Sequence, residues 1–247
     1  MADNIVLEVC AFNIQSSLVA ARVGATRVEL CDNPGEGGTT PSHGAILRVR
    51  EQIGLELYPI IRPRGGNFLY DDDEWAIIKK DILLCKELGC DGISTGVHLQ
   101  NGEIDIDRMK QIMSWAYPMG VTCHRVFDRT PDPYQALEQL IELGCERVLT
   151  SGQASGAPEG IDVLAKLVTQ ANGRIIIMPG AGVRAANIAT LIKGTGAVEY
   201  HTSARVTVPD TVSYRQSANF DFGGFPLANE EELSLLLSNA QQAMNDI

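Results

Sequence analysis

Short apolar runs alternate along the chain with longer stretches whose apolar residues recur at helical spacing, the signature of strands and amphipathic helices in turn. One junction is used repeatedly. In ARVGATRVEL, KELGCDGIS, IELGCERVL and IKGTGAVEY an apolar helix end is followed by glycine, a few small or polar residues and a strand. Glycine past the last turn takes the left-handed conformation that ends a helix. These junctions predict the even-numbered strands, and VLEVCAF near residue 7, LELYPIIRP near 55, GVTCHRVFD near 120 and RIIIMPGAG near 174 predict the odd-numbered ones. Helix starts are signalled by the serine pair Ser16 and Ser17, by Thr40-Pro41, by Asp71 to Asp73 and by Asp132-Pro133, where short polar side chains can accept from free backbone N–H groups and proline suits the first turn.

Eight alternating units in 247 residues fit either an open doubly wound sheet or a closed barrel. No Gly-x-Gly-x-x-Gly opens the first helix, and the junctions recur at similar pitch to the end, as they do when every strand has an equivalent place in a ring. The predicted fold is therefore α/β, a (β/α)8 TIM barrel forming a single domain over residues 1–247. Its last unit departs from the pattern. Residues 203–228 are expected to form a long loop after strand 8, serving as a lid, a binding loop or a subunit contact, and residues 229–245 a C-terminal helix.

A net charge of -11 and a pI near 4.8 argue against a nucleic-acid partner, whose backbone calls for a basic surface. No run approaches the roughly 20 apolar residues of a membrane span, and MADNIVLEVC lacks the basic and apolar regions of a signal peptide. A cytoplasmic protein is expected, and its six cysteines are expected as thiols rather than as a disulfide framework. Cys85 continues the helical face Trp75, Ile78, Ile82, while Cys90 and Cys145 follow Leu-Gly junctions where Ala25 and Thr195 stand elsewhere, so packing accounts for all three. Cys123 is read as facing the surrounding helices, and His43 and His98 are given no role.

Candidate chemistry lies in a spacing used three times, Glu8-Val-Cys10, Glu29-Leu-Cys31 and Glu199-Tyr-His201. Residues i and i+2 share a face of a strand, so each segment aims a carboxylate and a metal-binding group the same way. Closure makes strand 8 the neighbour of strand 1, bringing the three segments together at the carboxyl ends where such barrels carry their chemistry. Strands lie about 4.8 Å apart, so Cys10 and Cys31 are candidate ligands of a soft ion such as Cu(I), with equivalent residues of adjacent strands staggered in level. His201 is either a third ligand or a general base, and Glu8, Glu29, His124 and His201 form the candidate catalytic set. The buried glutamates are expected to be protonated or paired with Arg62, Arg64 or Arg125. Those arginines also suit a carboxylate or phosphate. With Gly180 and Gly182 after strand 7 and Ser203 after strand 8 they make a candidate anion site.

ELCDNPGEGGTTPSHG, IRPRGGNFLYDDDE, CHRVFDRTPDP, RVLTSGQASGAPEG, IMPGAGVRAANI and EYHTSA together resemble the CutC family, the copper homeostasis proteins, in order from about residue 5 to 205. The resemblance implies a cytoplasmic (β/α)8 barrel, a homo-oligomer (dimer or tetramer), and a part in copper handling. It also implies that Cys10 and Cys31, at the 21-residue spacing of the cysteines proposed as Cu(I) ligands in animal members, are metal ligands. The chain departs from the family pattern at Cys123, where phenylalanine is usual, and at Val126, where alanine is usual. Two functions are thus carried forward: Cu(I) binding in copper homeostasis, and an enzyme of unassigned activity on a small carboxylated or phosphorylated metabolite.

Overall fold

The structure, a computed structural model, describes residues 5–213 and 223–246. Eight short strands form the barrel wall: β1 (Val6–Ala11), β2 (Arg27–Leu30), β3 (Glu56–Pro59), β4 (Gly92–Thr95), β5 (Gly120–Cys123), β6 (Arg147–Thr150), β7 (Ile176–Pro179) and β8 (Glu199–Thr202). They pair in parallel in the orders β3-β2-β1-β8 and β4-β5-β6-β7. The ring closes where Ile60 bridges to Ser94 beyond β3 and where β7 lies against β8. The fold is the (β/α)8 barrel that the alternating units predict.

Helices α1 (Ile14–Val23), α2 (His43–Gln52), α3 (Asp72–Glu87), α4 (Ile106–Ala116), α5 (Pro133–Leu143), α6 (Ile161–Ala171), α7 (Ile188–Thr195) and α8 (Glu230–Asn245) surround the strands. Two starts coincide with their sequence signals: Asp71 forms a reciprocal capping box with Glu74, and Asp132 caps α5 with Pro133 in its first turn. Two are displaced by a few residues. Asn13, not the serine pair, caps α1, and Ser42, not Thr40, caps α2. Gly24, Gly144 and Gly196 end α1, α5 and α7 in the left-handed conformation.

Alternation along the strands separates two interiors. Leu7, Val9, Val28, Leu57, Ile93, Val121 and Val148 belong to the apolar layer between strands and helices, where full burial of each aliphatic side chain contributes about 1.5–3 kcal/mol. The inside of the ring is ionic instead. Glu8, Arg27, Glu29, Arg147, Glu199 and His201 are all buried, and Tyr58 joins them. Glycine on the neighbouring strand β4 makes room for that ring, since a Cβ on Gly92 would stand 2.1 Å from it.

The segment 203–228 is not a continuous loop. Its two ends, β9 (Arg205–Val208) and β10 (Phe225–Ala228), pair antiparallel, and β10 is tied to the start of α1 by bonds from Asn13 Nδ2 to Pro226 O and from Ala228 N to Ser16 Oγ. The middle of that expected loop, 214–222, lies outside the described residues. Among the described residues no helix is long and apolar enough to cross a membrane.

Candidate functional site

Register sets the levels of the site. On β1, Glu8 stands opposite Arg27 of β2 and His201 of β8, and Cys10 stands opposite Glu29. Equivalent residues of adjacent strands are therefore staggered, as barrel geometry demands.

The lower level is an ion cluster. Arg27 donates from Nε to Glu8 (2.6 Å), from Nη1 to Glu56 (3.0 Å) and from Nη2 to Glu199. Arg147 donates to Glu199 (3.1 Å) and, from its other nitrogens, to Glu146. Both guanidinium groups lie over the Tyr58 ring, 5.1 and 5.0 Å from its centroid. Glu8 and Glu199 are thus neutralised by Arg27 and Arg147, which corrects the expectation that Arg62, Arg64 or Arg125 would do so. The sequence carries the signal: Arg27, Glu29 and Cys31 follow one another at strand period, so an inward Glu29 places Arg27 inward as well.

The upper level holds the thiols. Cys10 Sγ and Cys31 Sγ are 3.7 Å apart, and Cys31 Sγ is 3.5 Å from Glu29 Oε2. Cys31 is buried and Cys10 partly exposed. One ligand atom from each of Cys10, Glu29 and Cys31 lies within 4.8 Å of the others, and the same holds for Glu8, Glu29 and His201. His201 joins the levels, its Nδ1 being 2.7 Å from Glu8 Oε1 and its Nε2 3.8 Å from Glu29 Oε2.

These contacts divide the protons unevenly. The hydrogen bond from Cys31 outweighs burial and, with His201, brings the Cys10 thiol down to about 5, so Cys10 is a thiolate at neutral pH. Burial pushes the Cys31 thiol well up, reinforced by the neighbouring Cys10. Burial, then the negative Cys10, raises Glu29 to about 8, leaving it mostly protonated. Burial alone would raise Glu8, but the hydrogen bond and charge of His201, with Arg27 and Arg147, hold it at about 2. His201 is disfavoured as a cation by burial, yet its bonds to Cys10 and Glu8 and the nearby carboxylates raise it well above the usual histidine range. The resulting site is an imidazolium between a carboxylate and a thiolate. Glu29 Oε1 is buried without a hydrogen-bond partner.

The remaining candidates separate. His124 is buried away from this cluster against Phe68, 4.7 Å between ring centroids, and burial, then the charge of Arg62, lowers it to about 3. It stays neutral, with Nδ1 accepting from Val126 N. Arg62 is spent on the carbonyls of Glu36, Gly38 and Gly66, and Arg64 on Glu74 and the carbonyls of Gly65, Asn67 and Leu69. Loop backbone left outside the sheet needs such donors. Gly180 gives its N–H to Thr150 O, and a Cβ there would stand 2.4 Å from Leu149 and 3.3 Å from His201. It is a packing glycine. Arg125, Gly182 and Ser203 do come together, lining with Cys10 and His201 a cavity of about 320 Å³ at the mouth. Arg184 and Arg205, absent from the sequence-based candidates, line it too.

The sequence profile of the CutC family matches residues 5–206, from the first strand into β9. The chain belongs to the CutC family. The family protein CutC of Chromobacterium violaceum is 49% identical over 211 residues, 85% of either chain. The human copper homeostasis protein cutC homolog is 43% identical over 217 residues, 88% of this chain and 80% of its own. Among solved structures, CutC from Streptococcus agalactiae is similar with a TM-score of 0.77 and 36% identity, covering 81% of this chain and 98% of that one. Cys10, Cys31 and the cavity-lining residues through Arg205 all fall within the part of the chain that matches the CutC profile.

Proposed function

We propose that this CutC chain binds Cu(I) through Cys10 and Cys31 and takes part in copper homeostasis in the cytoplasm. The observation that carries the reading is the 3.7 Å separation of the two sulfurs, one on a partly exposed cavity wall and one buried beside it. Thiolates are the preferred ligands of Cu(I), and a pair at this distance can share one ion after small side-chain rotations. Cys10 enters as a thiolate. Cys31 enters as a thiol and must release a proton, so affinity should rise with pH. Glu29 stands close enough to accept a hydrogen bond from Cys31 but is itself mostly protonated, so the released proton leaves to solvent. The name of the human relative, a copper homeostasis protein, supports the same reading, and six free cysteines suit a reducing compartment.

Anaerobic titration with Cu(I) against a competing chelator tests the reading. One equivalent is expected to bind the parent tightly, and Cys10→Ser and Cys31→Ser are each expected to abolish this while Cys85→Ser does not. Equal binding by all four proteins would overturn it.

A further inference from the structure

The mouth cavity carries a feature that copper does not explain. Arg125, Arg184 and Arg205 reach it from the segments that follow β5, β7 and β8, in a chain whose net charge is -11. Arg125 is held by Asp128 (2.8 Å) and Ser151 (3.0 Å). Among the described residues neither Arg184 nor Arg205 forms an ion pair. Arg205 is steadied instead against the Phe12 ring, 5.4 Å from its centroid. Like charges gathered in one concavity repel, and an acidic protein has carboxylates enough to neutralise them; here the space between them is left for something else.

The lining supplies the rest of an anion shell. Ser203 brings a hydroxyl, and Gly182, at φ 80°, lets the backbone turn close to the cavity. A carboxylate needs one guanidinium fork, whereas the oxygens of a phosphate can engage several at once. The place agrees with the fold, since barrels of this type bind phosphate at the loops after strands 7 and 8. About 320 Å³ is at the small end of ligand cavities and suits a metabolite of a few carbons.

We propose that this cavity binds the phosphate group of a small phosphorylated metabolite through Arg125, Arg184 and Arg205, with the rest of the molecule directed at Cys10 and His201. The site is independent of the copper reading, for it stands on the arginines and the shape of the mouth. Its ligand would meet the side chains of Cys10 and His201, residue types that move protons in enzymes.

The test uses inorganic phosphate on the full chain, reduced and freed of metal, with binding followed by 31P line broadening at constant ionic strength. Saturable one-to-one binding is expected. The double variant Arg184→Gln, Arg205→Gln should weaken it roughly a hundredfold or more, about the loss of two charge-assisted hydrogen bonds, and Arg205→Lys should weaken it less. Lys86→Gln, in the last turn of α3 and so at the opposite end of the barrel, and Cys31→Ser, whose thiol does not line the cavity, should bind like the parent, so loss of copper binding leaves this result untouched. Binding that does not saturate, or that the double arginine variant retains with an unchanged melting curve, overturns the proposal. Displacement of phosphate by equimolar acetate would overturn its phosphate character.

Discussion

His201 Nδ1 lies 2.7 Å from Glu8 Oε1 although 193 residues separate them in the chain. Closure of the barrel alone makes them neighbours, Glu8 standing directly opposite His201 across the β1–β8 pair. The contact orients the ring. With Nδ1–H donated to Glu8, Nε2 is turned toward Glu29 and Cys10, so a carboxylate on the barrel floor sets the charge presented to the thiols above.

Cys10 should titrate as an acidic thiol. Thiolate absorbance at 240 nm, read as the difference between the parent and Cys10→Ser, is expected to rise with a midpoint near pH 5, and alkylation of Cys10 by iodoacetamide should be almost independent of pH from 6 to 9. A midpoint in the ordinary range of about 8.5 would mean that Cys31 and His201 do not stabilise the anion.

His201→Gln removes the cation and keeps a hydrogen-bonding side chain. The Cys10 midpoint is expected to move up by about 1–3 pH units, the usual influence of an adjacent opposite charge. An unchanged midpoint would assign the whole effect to Cys31.

Arg27 is the least replaceable residue of the ionic floor. Arg27→Met takes from buried Glu8 and Glu199 the one guanidinium that bridges them, and breaking one side of a buried ion pair costs about 3–5 kcal/mol. Urea denaturation is expected to register a loss of that order. A loss below about 1 kcal/mol would show that Arg147 and His201 suffice.

How much of this was legible in the chain varies by residue. The glycine junctions and the Glu-x-Cys and Glu-x-His spacings were enough to place the thiols and His201 at one end of a closed barrel, because strand alternation and ring closure follow from local pattern. The stagger of Cys10 against Glu29 followed from the same geometry. Arg27 and Arg147 were overlooked as partners because they open their strands, whereas attention to strand ends favoured Arg62 and Arg64. Arg62 satisfies carbonyls of the segment between β2 and α2 as well as one of its own loop, and Arg64 those of its own loop, needs that no spacing reveals. Arg184 and Arg205 belong to connecting segments, and which of these converge is decided only by the closed ring.

Glu29 should leave its mark on the pH dependence of stability. Its carboxyl is raised in the folded protein from 4.5 to about 8, so the folded state holds a proton that the unfolded chain releases. Its contribution is full below about pH 4.5 and is lost as pH rises toward 8. Glu29→Gln cannot titrate. Its stability relative to the parent is therefore expected to increase across pH 5–8 in urea melts, and a constant difference would contradict the protonated state assigned to Glu29.

X-ray absorption at the copper edge of the protein loaded anaerobically with one equivalent of Cu(I) reads the ligands themselves. The account predicts two sulfur donors, lost when Cys10 and Cys31 are both changed to serine; a first shell of nitrogen and oxygen alone, or the same spectrum from the double variant, would contradict it.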